Sequence, residues 1–152
     1  MGEAREVLDR VTDAILQGDL EALKALYAPD AVIETPDRGT IRGREEIAAW
    51  TAEFAVAFPD AQWEPLHQHE VGATAIDEGF FIGTNTGDMA GPNGETIPAT
   101  GKRVRARECD VATVENGMVT SHRFYFDMLG WLEQLGLAGE SQEAAGGQRT
   151  GG

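Results

Sequence analysis

Residues 101–126 read GKRVRARECDVATVENGMVTSHRFYF. Two runs rich in Val, Thr and aromatic residues flank Glu115-Asn116-Gly117, the clearest hairpin signal in the chain. A three-residue loop there suits a type I turn followed by a left-handed glycine. Val114 then faces Met118, Ala112 faces Thr120, Asp110 faces His122, Glu108 faces Phe124 and Ala106 faces Phe126. Residues paired across a ladder share a face. One face therefore carries Ala106, Glu108, Asp110, Ala112, Thr120, His122, Phe124 and Phe126. The other carries Arg105, Arg107, Cys109, Val111, Arg123 and Tyr125. If the tighter Asn116-Gly117 turn is used instead, the register slips by one and this pairing is lost.

Outward from the hairpin, the second half of the chain is strand-like. Segments 61–71 and 73–87 precede 101–114 and 118–126. The Gly91-Pro92-Asn93-Gly94-Glu95 stretch reads as a long loop between them. The first half is helical. Val7, Leu8, Val11, Ile15 and Leu16 mark one face of a helix over 4–17, which Gly18 ends. Asp19 caps a second short helix, with Leu20, Leu23, Leu26 and Tyr27 inward and Pro29 closing it. Residues 31–35 read as a short strand, Pro36-Asp37-Arg38-Gly39 as a turn, and 44–58 as a third helix. A last short helix runs from about Met128 to Leu135, with Asp127 as its cap. Helices followed by a run of antiparallel strands predict an α+β domain over residues 1–137, with helices on one face of a bent sheet. From Gly139 onward no apolar residue exceeds alanine, so 138–152 reads as a disordered tail.

Composition narrows the function. The chain has 152 residues, enough for one domain, and a formal net charge of −14. That charge argues against nucleic acid and against anionic membrane surfaces. No apolar run approaches the roughly 20 residues that span a bilayer. The N-terminus lacks the apolar core of a signal peptide, and one cysteine, Cys109, allows no intrachain disulfide. The expected setting is the cytoplasm.

Four stretches carry a family resemblance: Phe58-Pro59-Asp60; Gly83-Thr84-Asn85-Thr86-Gly87-Asp88-Met89; Pro98-Ala99-Thr100-Gly101-Lys102-Arg103-Val104; and His122-Arg123-Phe124-Tyr125-Phe126-Asp127 with Met128 to Gly136 after it. In this order and spacing, over about residues 5–137, the chain resembles the SnoaL-like polyketide cyclases of the nuclear transport factor two-like superfamily. The resemblance implies a cone-shaped barrel-like domain, a pocket that needs no cofactor, and a homodimer formed through the outer sheet face. It also implies a mostly apolar, oxygenated small molecule as ligand. Members often carry His where this chain has Asn85, which the resemblance places among the substrate-binding residues. The aldol cyclases keep an acid/base aspartate three residues before the aspartate that opens the last helix. That position here is Phe124. Ketosteroid isomerases on the same fold place an aspartate base just before a proline on the first strand, where this chain has Thr35.

The Phe124 alignment selects the hairpin face that lines the pocket. Asp110, His122 and Glu108 then become the catalytic candidates, and Phe124, Phe126, Trp50 and Phe54 the apolar wall. A carboxylate beside an imidazole fixes its tautomer, and a second carboxylate in an apolar wall has its pKa pushed up. The competing reading is a structural Asp110–His122 pair, with Glu108 bonded to an arginine. At the level of the whole chain, the alternative to an acid/base enzyme is a non-catalytic ligand-binding domain on the same fold. His67 and His69 alternate on one strand, but no third ligand follows at metal-site spacing, so no metal is expected. The face with Arg105, Arg107, Cys109, Val111, Arg123 and Tyr125 is the expected dimer surface, because Arg and Tyr are favoured at interfaces. Light scattering at micromolar concentration should therefore return the mass of two chains; the mass of one chain overturns the expectation.

Overall fold

The computed structural model describes residues 2–91 and 93–138; of the tail expected at 138–152, all but Ala138, which is buried, lies outside them. Four helices and eight strands follow in the order α1 (Glu3–Gln17), α2 (Leu20–Leu26), β1 (Tyr27–Thr35), β2 (Gly39–Arg42), α3 (Arg44–Ala57), β3 (Gln62–Val71), β4 (Thr74–Thr84), β5 (Met89–Ala90), β6 (Thr96–Ile97), β7 (Arg103–Glu115), β8 (Met118–Phe126) and α4 (Met128–Gln134). Six strands form one sheet in the order β2-β1-β8-β7-β4-β3, antiparallel except for β1 beside β8. The sheet is open, with β2 and β3 as edges, so the cone is a curved sheet around helices and not a closed barrel. On either side of the predicted loop at 91–95, β5 and β6 pair as a separate two-stranded ribbon.

Local chemistry explains the helix ends. Gly18 stops α1 in the left-handed region, at φ 67°. At the other end of α1, the Glu70 carboxylate from β3 accepts from the backbone N–H groups of Gly2 and Arg5, at 2.8 and 2.9 Å. Orphan helix N–H groups are thus satisfied by a side chain from the sheet edge, which fixes α1 across the strands. Asp19 caps α2 by accepting from Ala22 N–H. Asp127 caps α4 by accepting from Gly130 N–H.

The apolar face of α1, with Val7, Leu8 and Val11 buried, packs with Leu23, Ile33, Ala75, Ala112 and Val119. A second cluster joins Phe58, Phe81, Val104, Ala106 and Leu135, with Phe54 and Trp131 against it. Alternation along β4 and β7 puts Ala75, Asp77, Gly79 and Phe81, and Val104, Ala106, Asp110, Ala112 and Val114, on the helix side. Among the described residues, no helix is long and apolar enough to cross a membrane.

Three expectations are corrected. Pro29 does not close α2; the helix ends at Leu26 and Pro29 lies inside β1, which begins at Tyr27. A proline is tolerated there because part of β1 around it leaves the ladder: the pairing with β8 shifts between Tyr27 and Val32. The hairpin uses the two-residue turn, with φ 54° at Asn116 and 76° at Gly117, the positive pair that a type I′ turn requires. Glu115 faces Met118 and Val114 faces Val119. A bulge then inserts Thr120, so that Thr113 faces Ser121 and Ala112 faces His122. The slip and the bulge cancel in parity. Every expected inward residue except Thr120 stays inward, but opposite a different partner: Asp110 faces Phe124 and Glu108 faces Phe126.

The third correction concerns Asn85. It is fully buried, but it does not line the cavity. Its amide N–H group donates to the carbonyls of Ala57 (3.2 Å) and Gly87 (2.8 Å). Its side-chain oxygen accepts from the N–H and the hydroxyl of Thr100, at 2.8 and 2.9 Å. The side chain ties the end of α3 to the loop before β7, and no donor or acceptor is left to offer a ligand.

Candidate active site

A cavity of about 150 Å³ lies between α1, α3, α4 and the inner sheet face. That volume matches an engineered apolar cavity known to hold a benzene ring. Its wall includes the expected Trp50, Phe54, Phe124 and Phe126, together with Trp63, Phe81 and Trp131. The rings interlock: Trp50 with Phe124 at 5.7 Å, Phe54 with Phe81 at 5.0 Å and Phe126 with Trp131 at 5.8 Å between centroids. Asp37, exposed in the turn after β1, also lines the cavity and marks its mouth.

All three sequence candidates, Glu108, Asp110 and His122, reach this cavity. His122 and Asp110 are not directly opposite each other. They meet diagonally, which long side chains on one face can do. His122 Nε2 lies 2.6 Å from Asp110 Oδ2, and His122 Nδ1 lies 2.6 Å from the Tyr27 hydroxyl. Burial, and then the charge of Asp110, push the Tyr27 pKa well up, so the phenol keeps its proton. In the tautomer with the imidazole proton on Nε2, Tyr27 donates to Nδ1 and His122 donates to Asp110. Phe124 packs on the imidazole at 4.2 Å between ring centroids and shields it.

A second buried carboxylate stands behind the first. Asp77 on β4 is directly opposite Asp110 on β7, and both are more than nine-tenths buried. Like charges directly opposite repel. Burial first, and then the Asp110 charge, raise the Asp77 pKa. Arg5 of α1 offsets this with an Asp77 contact at 2.7 Å, while Asp9 holds the same guanidinium at 2.8 Å. Asp77 therefore answers to Arg5, and Asp110 to His122.

Among the described residues Glu108 has no such partner, and no arginine bonds it, contrary to the structural alternative. Burial is the largest influence on it, followed by the charges of Asp110, Asp37 and Asp77; together they push its pKa up to about 8. Arg105, on the outer face, pairs with Glu64 at 3.2 Å and lies over the Phe80 ring. His67 and His69 are exposed with ring centroids 6.4 Å apart. No group of three or more metal-ligating side chains occurs among the described residues.

The sequence reading missed Tyr27, Asp77, Arg5 and Trp63. Tyr27 reads as the last inward residue of α2, and only the parallel β1–β8 pairing brings it beside His122. Arg5 and Asp77 lie on elements whose contact depends on how α1 crosses the sheet. For Trp63, an aromatic on a strand beside the pocket strands was the one available signal.

The Glu108 pKa has a consequence for stability. In the unfolded chain the group titrates near 4.5, and in the folded chain near 8. Between those values the folded state holds a proton that the unfolded state has released. Stability therefore falls as pH rises through that window, by at most about 1.4 kcal/mol per pH unit. Urea unfolding of wild type and Glu108→Gln should show this fall in the wild type and a flatter profile in the variant. Parallel profiles would contradict the assignment.

Comparison with known proteins agrees with this architecture. The SnoaL-like domain family matches residues 8–122. Aklanonic acid methyl ester cyclase DnrD of Streptomyces peucetius is 28% identical over 109 residues, covering 71% of this chain and 70% of that protein. The solved structure of IdmH from Streptomyces antibioticus, a candidate polyketide cyclase, shares 26% identity at a TM-score of 0.73, covering 89% of this chain and 99% of that one. A Catenulispora acidiphila protein with a ketosteroid isomerase-like fold superimposes with a TM-score of 0.71 at 20% identity, over 87% of this chain and 93% of that one. The chain belongs to the SnoaL-like family.

Proposed function

We propose that this chain is a cyclase-type enzyme that performs cofactor-independent acid/base chemistry on a hydrophobic, oxygenated small molecule of the polyketide class. One observation carries the reading: two carboxyl groups on adjacent inward positions of β7 have opposite environments. Asp110 accepts the Nε2 proton of His122, whereas Glu108 is unpaired and pushed up to about 8. Neighbouring carboxyl groups in environments this different can divide the roles of base and acid.

The chemistry follows from those roles. Asp110 takes a proton from a carbon beside a substrate carbonyl. The C–H electron pair moves into the carbonyl, and the oxygen that gains charge takes a hydrogen bond or a proton from Glu108. The enol carbon then attacks a second carbonyl and forms a C–C bond, or is reprotonated elsewhere in an isomerisation. In the first case the enol oxygen gives its proton back to Glu108 as the first carbonyl re-forms, and the new alkoxide takes from Asp110 the proton first removed from carbon. His122 keeps Asp110 oriented, and Tyr27 keeps His122 in the required tautomer. The aromatic wall supplies flat apolar contact for the substrate. Two curated relatives are named as cyclases of aklanonic acid methyl ester, a substrate that fits this class. The aldol cyclase position is Phe124 here, so proton transfer moves to β7. The exposed Tyr125 and Arg107 leave the outer face of β7 and β8 open to a second copy, in a cytoplasmic homodimer.

With a polyketide β-keto ester as substrate, Asp110→Asn and Glu108→Gln should each lower turnover by roughly two to four orders of magnitude, the usual range for general acid/base groups. Wild-type rates in both variants, or no turnover of such esters by the wild type, would overturn the reading.

A further inference from the structure

Trp63 sits on the edge strand β3, opposite Phe81 of β4, and its ring forms part of the cavity wall. Among the described residues, its indole N–H is the one buried side-chain polar atom with no hydrogen-bond partner. Buried polar groups in folded proteins are almost always paired, so an unpaired donor calls for a reason. Its setting supplies one.

The ring leans over Gly79. A side-chain carbon placed on Gly79 would fall 2.7 Å from Trp63 Cζ2 and 2.4 Å from the Glu64 carbonyl, so only glycine admits the indole there. Gly79 in turn is directly opposite Glu108. The inner face at this level therefore runs Trp63, Gly79, Glu108 across β3, β4 and β7. Glu108, half-buried where it meets the cavity, also has no hydrogen-bond partner among the described residues.

We propose that Trp63 is a ligand-binding residue, and that its indole N–H and the Glu108 carboxyl, with Gly79 between them, receive one carbonyl oxygen of an uncharged aromatic ketone or ester. This deepens the acid/base reading and rests on it. Glu108, which holds its proton at neutral pH, acts with Trp63 as a second donor to that oxygen. Two donors to one oxygen stabilise an enolate more than the starting ketone, because the charge on that oxygen grows as the enolate forms. Asp110 lies two residues along β7. Two residues of strand span about 7 Å, wide enough for a carbonyl group and its α-carbon to lie between the donor row and the base.

The test uses two probes of one shape. Acetophenone carries the carbonyl oxygen; α-methylstyrene replaces it with a methylene group. In ¹⁵N-labelled wild type, acetophenone should move the Trp63 indole N–H resonance downfield, while α-methylstyrene should not. Trp50 and Trp131 serve as internal controls, and Trp63→Phe assigns the peak. That variant should weaken acetophenone binding roughly tenfold more than it weakens α-methylstyrene binding, which loses ring contact alone. Acetophenone binding that leaves the Trp63 resonance unmoved, or moves it no more than α-methylstyrene does, overturns the inference and leaves the Asp110 and Glu108 roles standing. Failure of both probes to bind the wild type overturns the inference together with the apolar-pocket reading beneath it. The wild-type spectra decide the matter even if Trp63→Phe does not fold.

Discussion

The hydrogen bond between His122 Nε2 and Asp110 Oδ2 organises the interior of this domain. It holds a carboxylate inside the sheet face, directly opposite a second one. A buried charge is tolerated only when it is paired and hydrogen-bonded. That constraint reaches outward in both directions. On one side, α1 must cross the sheet at the height where Arg5 meets Asp77, and Glu70 pins the start of the helix there. On the other side, β1 must run parallel to β8 so that Tyr27 meets His122 Nδ1. The result is a polar line across four adjacent strands, from Asp77 through Asp110 and His122 to Tyr27, laid between two apolar clusters.

Glu108 gains its character from what this line leaves out. Arg5 is committed to Asp77 and Asp9, and His122 to Asp110 and Tyr27. Among the described residues no cation pairs with Glu108, so a proton takes that place. The Gly79 gap beside it lets an indole, and not a charged group, occupy the neighbouring wall. A base with a fixed partner and an acid without one thus follow from the same shortage of positive charge in the pocket. Phe124 strengthens both effects, because it covers the imidazole and removes the carboxylate expected there by family resemblance.

Much of the fold was legible because it is local. Periodicity over 4–17 placed α1, Asp19 and Asp127 announced the caps, and alternation along 103–126 sorted the hairpin residues into faces. The face assignment survived a wrong turn only because Thr120 bulges. A two-residue turn reverses the parity and the extra residue restores it. Nothing in Met118-Val119-Thr120-Ser121 signals that bulge by residue type. The non-local contacts were not legible. Tyr27 follows an apolar helical pattern and reads as helix, and the parallel β1–β8 pairing brings it to His122 across 95 residues of sequence. Asn85 misled for another reason. The family resemblance put it among the substrate-binding residues, but its four hydrogen bonds go to backbone and to Thr100.

The central claim is that Asp110 is a carboxylate held by a proton on His122 Nε2. Nitrogen-15 spectra of the His122 imidazole at neutral pH test it directly, with Tyr27→Phe and Asp110→Asn as controls for assignment. The account predicts a protonated Nε2 and a bare Nδ1 that accepts from Tyr27. A proton on Nδ1 with a bare Nε2 would contradict it, because Asp110 would then be the donor in the pair and could not serve as the base.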